Sequence, residues 1–207
     1  MKKRIGVLVS GGGTNLQAIM DKIDEGYIDA EIAVVISNRK DAYALERAKA
    51  AGIDARYVVR KDYESDEQRD YAMMRILEDH AVDLVVLAGY LGILSKPFID
   101  AYRLRIINVH PSLIPAFCGK GFYGHHVHQA VLDYGVKVSG ATVHFVDEGI
   151  DAGPIILQKA VEVKDDDTAD TLAARVLEVE HELLPKAVKL FLEGRLSVSG
   201  RHVHLYL

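Results

Sequence analysis

Two polar side chains, Asn108 and His110, stand at alternate positions at the end of an apolar run and are followed at once by a proline, in I-I-N-V-H-P-S-L-I-P (106–115). In a strand, residues two apart point to one face, so a primary amide and an imidazole project together. Pro111 removes a backbone donor and disfavours a helical His110, which ends the strand there. The carboxyl edge of the strands is where open α/β sheets bind their ligands. An imidazolium with a primary amide can stabilise the oxyanion of an acyl transfer. A neighbouring carboxylate would favour that charged imidazole. Asp151 is the candidate, because D-E-G-I-D-A-G-P is a glycine-flanked loop after a strand-like run, where loop carboxylates often work. His144 and Thr142 share a face within T-V-H-F-V, and Glu180 and His181 fall on a long helical stretch. On the ten residues alone, a strand end with two polar groups satisfied by backbone is the plainer reading.

The other reactive residues lack the context their chemistry needs. Ser112 sits in no G-x-S-x-G elbow, and Cys118 reads as a loop thiol. His125-His126-Val127-His128 and His202-Val203-His204 are rich in possible ligands, yet neither a Cys/His zinc spacing nor HExxH occurs. They read as surface histidines, and no metal is expected. Ser10-Gly11-Gly12-Gly13-Thr14-Asn15 joins the first strand to the first helix. Glycines let backbone approach a ligand, and helix-start amides attract anions. The G-x-G-x-x-G spacing with a later acid is absent, as is the Gly-Lys-Ser/Thr of a Walker A loop. A single phosphate at 13–15 fits the loop best, and a tight turn without a ligand is the alternative.

These residues need a scaffold that delivers strand ends to one edge. Apolar runs at 5–9, 32–37, 55–59, 84–88 and 106–109 alternate with helical stretches at 15–25, 42–51, 66–80 and 96–102. Such alternation predicts an α/β fold with a parallel sheet and helices on both faces. Consecutive apolar residues such as L-V-V-L-A suit strands covered on both sides. After His110 the pattern changes. A loop at 111–123, a helix at 125–134 and strands at 136–147 and 154–163 forming a hairpin are expected. A helix at about 168–193 follows, which Pro185 should kink or split, and then a strand or hairpin at 196–207. At 207 residues, 49% hydrophobic and 27% charged, the chain suits one soluble domain, or one domain with a small extension. A net charge of −5 without a basic tract argues against a nucleic-acid surface. One cysteine excludes an intrachain disulfide and fits a reducing compartment. Neither a signal-peptide core nor a membrane-length apolar run is present. A cytoplasmic protein is expected.

Four stretches together resemble the phosphoribosylglycinamide formyltransferase family, the folate-dependent glycinamide ribonucleotide transformylases of purine synthesis. They are S-G-G-G-T-N-L-Q-A-I, L-A-G-Y-L-G-I-L, I-I-N-V-H-P-S-L-I-P and V-H-F-V-D-E-G-I-D-A-G-P-I-I-L-Q. The resemblance runs from about Ile5 to Glu193. The Asn-x-His-Pro-Ser-Leu motif with the later aspartate marks formyltransferases generally, and the N-terminal glycine loop narrows the match. It implies a Rossmann-like formyltransferase fold, a mostly parallel twisted sheet with an antiparallel extension in the second half. It also implies one domain, with a nucleotide-binding half at 1–110 and a folate-binding, catalytic-loop half at 111–207. Asn108, His110 and Asp151 would be the catalytic triad, supported by His144 and Thr142. Gly13, Thr14, Asn15, Pro111 and Glu180 would bind glycinamide ribonucleotide, Glu180 through its ribose. Leu91, Gly92, Ile93 and Leu94, with Asn108, Asp147, Glu148, Gly149, Ile150 and Asp151, would hold the pterin of 10-formyltetrahydrofolate, the formyl donor. Two positions depart from the family pattern: many relatives carry arginine where this chain has Gly92, and Arg or Lys near Asp66. Small-molecule substrates, no nucleic acid or membrane partner, and a monomer or homodimer follow. Formyltetrahydrofolate deformylase, which uses a similar triad with water as acceptor, and a non-catalytic nucleotide-binding module are the alternatives.

Overall fold

Ile5 to Val9 are five consecutive fully apolar or small residues, and all five are buried in β1 (Lys3–Val9). A strand covered on both faces belongs inside a parallel sheet. In the computed structural model, which describes residues 2–206, two compact units divide between Ile107 and Asn108. In the first unit β1 pairs in parallel with β2 (Ala30–Ser37) and β4 (Leu84–Leu87). β2 pairs in parallel with β3 (Asp54–Tyr57), giving the order β3-β2-β1-β4. The intervening helices are α1 (Thr14–Asp24), α2 (Tyr43–Ala50), α3 (Asp66–Asp79) and α4 (Lys96–Ala101). The register Val7↔Val86 and Leu8↔Leu87 brings β1 and β4 to an end together. The loops after them are consequently adjacent: the Leu91 N–H donates to Ser10 Oγ at 2.8 Å.

β5 (Ile106–His110) begins in the first unit and ends in the second. The second unit adds α5 (His125–Tyr134), β6 (Val138–Phe145), β7 (Ile155–Glu162) and α6 (Ala169–Leu192), then β8 (Leu196–Ser199) and β9 (His202–Leu205). β6 and β7 form an antiparallel hairpin, with Thr142 opposite Gln158. β8 and β9 form another, and β9 meets β7 at Ile155↔His202. The mostly parallel sheet, flanking helices and antiparallel C-terminal strands agree with the fold class expected from the sequence.

α6 starts at a reciprocal cap: Thr168 Oγ1 accepts from the Thr171 N–H, and Thr171 Oγ1 accepts from the Thr168 N–H. It then runs unbroken through Pro185, so the expected split does not occur. Leu183, Leu184, Ala187 and Val188 are buried on both sides of the proline, and that packing outweighs one lost helical hydrogen bond. His128 also departs from expectation. The reading of 125–128 as surface histidines fails there, because α5 turns Val127, His128 and Val131 inward. His125 and His126 are exposed, and His125 pairs with Asp170 at 2.5 Å.

Burial, with smaller contributions from the charges of His125 and His110, pushes the His128 pKa down from 6.5 to about 4. The unfolded chain therefore binds a proton there that the folded chain refuses, and stability falls as pH drops from about 6.5 towards 4. Urea-unfolding midpoints should decrease across that window. The decrease should be smaller in His128→Gln, which removes the titrating group.

Candidate active site

β5 presents Asn108 and His110 on one face, as period-two geometry requires. His110 is 4% exposed. Its Nε2 lies 2.9 Å from the Phe117 carbonyl oxygen. A carbonyl only accepts, so this nitrogen carries a hydrogen. The opposite nitrogen, Nδ1, faces Asp151 Oδ2 at 3.5 Å. The same carboxylate oxygen accepts from the Gly119 N–H at 3.0 Å. Asp151 holds a left-handed backbone, φ +52°, a conformation that aspartate tolerates better than most side chains. Gly153 lets the loop close, since a Cβ there would stand 1.8 Å from the Phe145 carbonyl oxygen.

His144 decides how Asn108 is turned. Its Nδ1 lies 2.8 Å from the Phe145 carbonyl oxygen and so carries the ring hydrogen. Burial pushes the His144 pKa down, against the pull of the Phe145 carbonyl and Asp151, so the ring is neutral near pH 7. Nε2 is then bare and accepts from Asn108 Nδ2 at 3.1 Å. An amide has two N–H bonds, and Asn108 retains the second for another acceptor. Asp151 Oδ1 stands 3.8 Å from His144 Nε2, too far for a hydrogen bond. The cluster can supply an amide N–H and, when His110 is protonated, an Nδ1–H backed by a carboxylate.

Thr142, two residues before His144, ties down the turn after β5. Its Oγ1 donates to the Ser112 carbonyl at 2.7 Å and accepts from the Ile114 N–H at 3.1 Å and Gln158 Nε2 at 2.9 Å. Ser112 Oγ donates to the Ala116 carbonyl at 2.7 Å, so it is a brace within the turn. Pro111, half-buried, opens that turn. In the loop after β6, Asp147 Oδ1 accepts from the Gly149 N–H at 3.0 Å, and Glu148 and Ile150 are exposed. Glu180 is buried on α6.

The first unit holds the other predicted residues. Gly13 caps α1 with φ +75°, and a Cβ there would stand 2.6 Å from Ala44 Cβ. Arg47 Nε donates to the Gly12 carbonyl at 2.8 Å. Thr14 and Asn15 open α1, whose first turn has neither an acidic residue nor a side-chain cap. Leu91 and Ile93 are 57% and 66% exposed, whereas Leu94 is buried. A Cβ on Gly92 would meet the Tyr90 ring at 2.7 Å, so that ring excludes any side chain at 92 as the segment stands. Sequence reasoning missed the Phe117 and Phe145 carbonyls, the Gly119 N–H, Arg47 and the buried Arg69–Asp70 pair. No side-chain pattern announces a backbone acceptor, and adjacent charges on a helix read as solvated. Among the described residues no group of three or more His, Cys, Asp or Glu could hold a metal ion, and no helix is long and apolar enough to cross a membrane.

Residues 3–188 match the model of the formyl transferase family, and the chain belongs to that family. It is 42% identical to the phosphoribosylglycinamide formyltransferase of Haemophilus influenzae, over 98% of this chain and 93% of that protein. It is 45% identical to the trifunctional purine biosynthetic protein adenosine-3 of Bos taurus, over 97% of this chain, and spans about a fifth (20%) of that longer protein. Glycinamide ribonucleotide transformylase 1 from Symbiobacterium toebii superposes with a TM-score of 0.95 at 49% identity, covering 100% of this chain and 95% of that one. A formyltetrahydrofolate deformylase from Pseudomonas syringae shares the fold at a TM-score of 0.90 but only 28% identity, covering 100% of this chain and 67% of that one.

Thr142→Val keeps the shape and removes every hydrogen bond of Oγ1. With two backbone groups and the Gln158 amide left short of partners, it should destabilise the protein by about 2–4 kcal/mol. Urea unfolding measures the loss.

Proposed function

We propose that the chain transfers the formyl group of 10-formyltetrahydrofolate to the amino group of glycinamide ribonucleotide, a step of purine biosynthesis in the cytoplasm. The observation that carries this reading is the proton arrangement around β5: an amide N–H on Asn108 and an imidazole on His110 with its Nδ1 towards Asp151. Membership of the formyl transferase family and the printed names of the relatives support the substrate pair.

In this mechanism the neutral amine of the acceptor attacks the formyl carbon. The carbonyl π electrons move to oxygen, and the free N–H of Asn108 and the Nδ1–H of protonated His110 stabilise that oxyanion. Asp151 supports the protonated ring and relays, through water, the proton that leaves the attacking nitrogen and reaches N10 of the folate. The carbon–N10 bond then breaks, the formyl carbonyl reforms, and tetrahydrofolate departs. The step as written needs no metal and no covalent enzyme intermediate. Gly13, Thr14 and Asn15 are assigned to the acceptor's phosphate, for which the uncapped start of α1 is suited. Pro111 and Glu180 are assigned to the rest of the acceptor. The segment 91–94 and the loop 147–151 are assigned to the donor's pterin.

His110→Ala and Asp151→Asn should each lower turnover by about a hundredfold or more while the protein stays folded. A folded His110→Ala enzyme with near-normal turnover would contradict the assignment. Transfer and hydrolysis separate in one assay that follows formate and formylated product with and without glycinamide ribonucleotide. A transferase consumes the donor slowly until the acceptor is bound and oriented. A deformylase releases formate at full rate without it. Gly13→Val should weaken acceptor binding more than donor binding in calorimetry, because the side chain meets Ala44 and displaces the loop.

A further inference from the structure

Arg69 and Asp70 are adjacent on α3, 5% and 0% exposed. Charges this deeply buried persist only when paired and hydrogen-bonded, and an apolar pair of similar volume would often be at least as stable. Their bonds reach beyond each other to one segment. Arg69 Nε donates to Asp70 Oδ1 at 2.7 Å, Nη1 to Asp66 Oδ1 at 3.1 Å, and Nη2 to the Ile93 carbonyl at 2.7 Å. The second Asp70 oxygen accepts from the Ser95 N–H at 2.5 Å. Ser10 Oγ accepts from the Leu91 N–H at the other end. Between these points the backbone at Gly92 lies on the Tyr90 ring, and Leu94 is buried beneath. The segment is held at three backbone atoms, and the Leu91 and Ile93 side chains face outward.

We propose that the Arg69–Asp70 pair is a positioning device that holds segment 91–94 as a pre-formed backbone template for the formyl donor, with Arg69 the residue on which donor affinity turns. This rests on the reading of 91–94 as donor-binding. The device is rigid because Asp70 and Asp66 hold Nε and Nη1 of the planar guanidinium, which aims the one Nη2–H at the Ile93 carbonyl in direction as well as distance. A donor lying against the segment's backbone then loses little entropy in ordering the protein.

The test compares the full wild-type chain with Arg69→Met, Arg69→Lys and, as a control for charge loss on the same helix, Arg75→Met. Far-ultraviolet circular dichroism checks folding, steady-state kinetics gives KM for 10-formyltetrahydrofolate and for glycinamide ribonucleotide, and amide hydrogen exchange reports residues 91–95. Arg69→Met should raise the donor KM by about tenfold or more and accelerate exchange across 91–95, because small misplacements of a positioned segment cost that much. The acceptor KM should stay within about twofold, Arg69→Lys should recover part of the donor KM, and Arg75→Met should match wild type. A folded Arg69→Met chain with unchanged donor KM, or with equal losses for both ligands, overturns the proposal. Should Arg69→Met not fold, Arg69→Lys decides: a raised donor KM alone supports the clamp and an unmoved one overturns it. A wild type that transfers no formyl group sinks the functional reading alone, and unchanged exchange at 91–95 in Arg69→Lys would then overturn the clamp.

Discussion

A backbone carbonyl accepts hydrogen bonds and never donates, and two such carbonyls set the polarity of the site. The Phe117 oxygen places a hydrogen on His110 Nε2, which leaves Nδ1 towards Asp151. The Phe145 oxygen places the His144 hydrogen on Nδ1, which leaves Nε2 bare for the Asn108 amide. Reversing the His144 tautomer would turn Asn108 around and present its oxygen where, in the proposed mechanism, the developing oxyanion meets a donor. Backbone dipoles are suited to this task because they do not titrate and do not rotate once the turn is built. The turn is built by Thr142, Ser112 and Gln158, none of which needs to touch a substrate.

Each unit meets its own demand in the same way. In the second, the left-handed Asp151 and the close pass of Gly153 over Phe145 bend the loop after β6 so that one carboxylate faces His110 Nδ1 at 3.5 Å, with His144 further off at 3.8 Å. In the first, parallel register ends β1 and β4 together, and Ser10 couples the loops that leave them. In the first unit these loops leave apolar strands whose last residues are all buried.

Much of this was legible in the residues themselves. Period two placed Asn108 with His110 and Thr142 with His144, and proline after His110 marked where the strand stops. Alternating apolar and helical runs predicted the parallel first half, and the change of pattern after His110 predicted the antiparallel strands. What escaped has physical causes. The Phe117 carbonyl is directed by a backbone φ of +49°, which no residue type there announces. Arg69 and Asp70 look like solvated helix charges, yet both are buried and the chain returning through 91–95 hydrogen-bonds to them. His128 looked exposed beside two exposed histidines, since a helix turns neighbouring residues to different faces. Pro185 looked like a break, yet the apolar residues packed around it keep α6 continuous.

In the proposed mechanism the chemistry stands on the orientation of Asn108, and the tautomer of His144 controls it. Nitrogen-15 NMR of the histidine-labelled protein near neutral pH reads that tautomer directly. His144 should show a protonated Nδ1 and a bare Nε2, with His110 protonated at Nε2. A His144 carrying its proton on Nε2, or on both nitrogens, would contradict the account, because Asn108 could not then donate to that ring and the amide would face the other way.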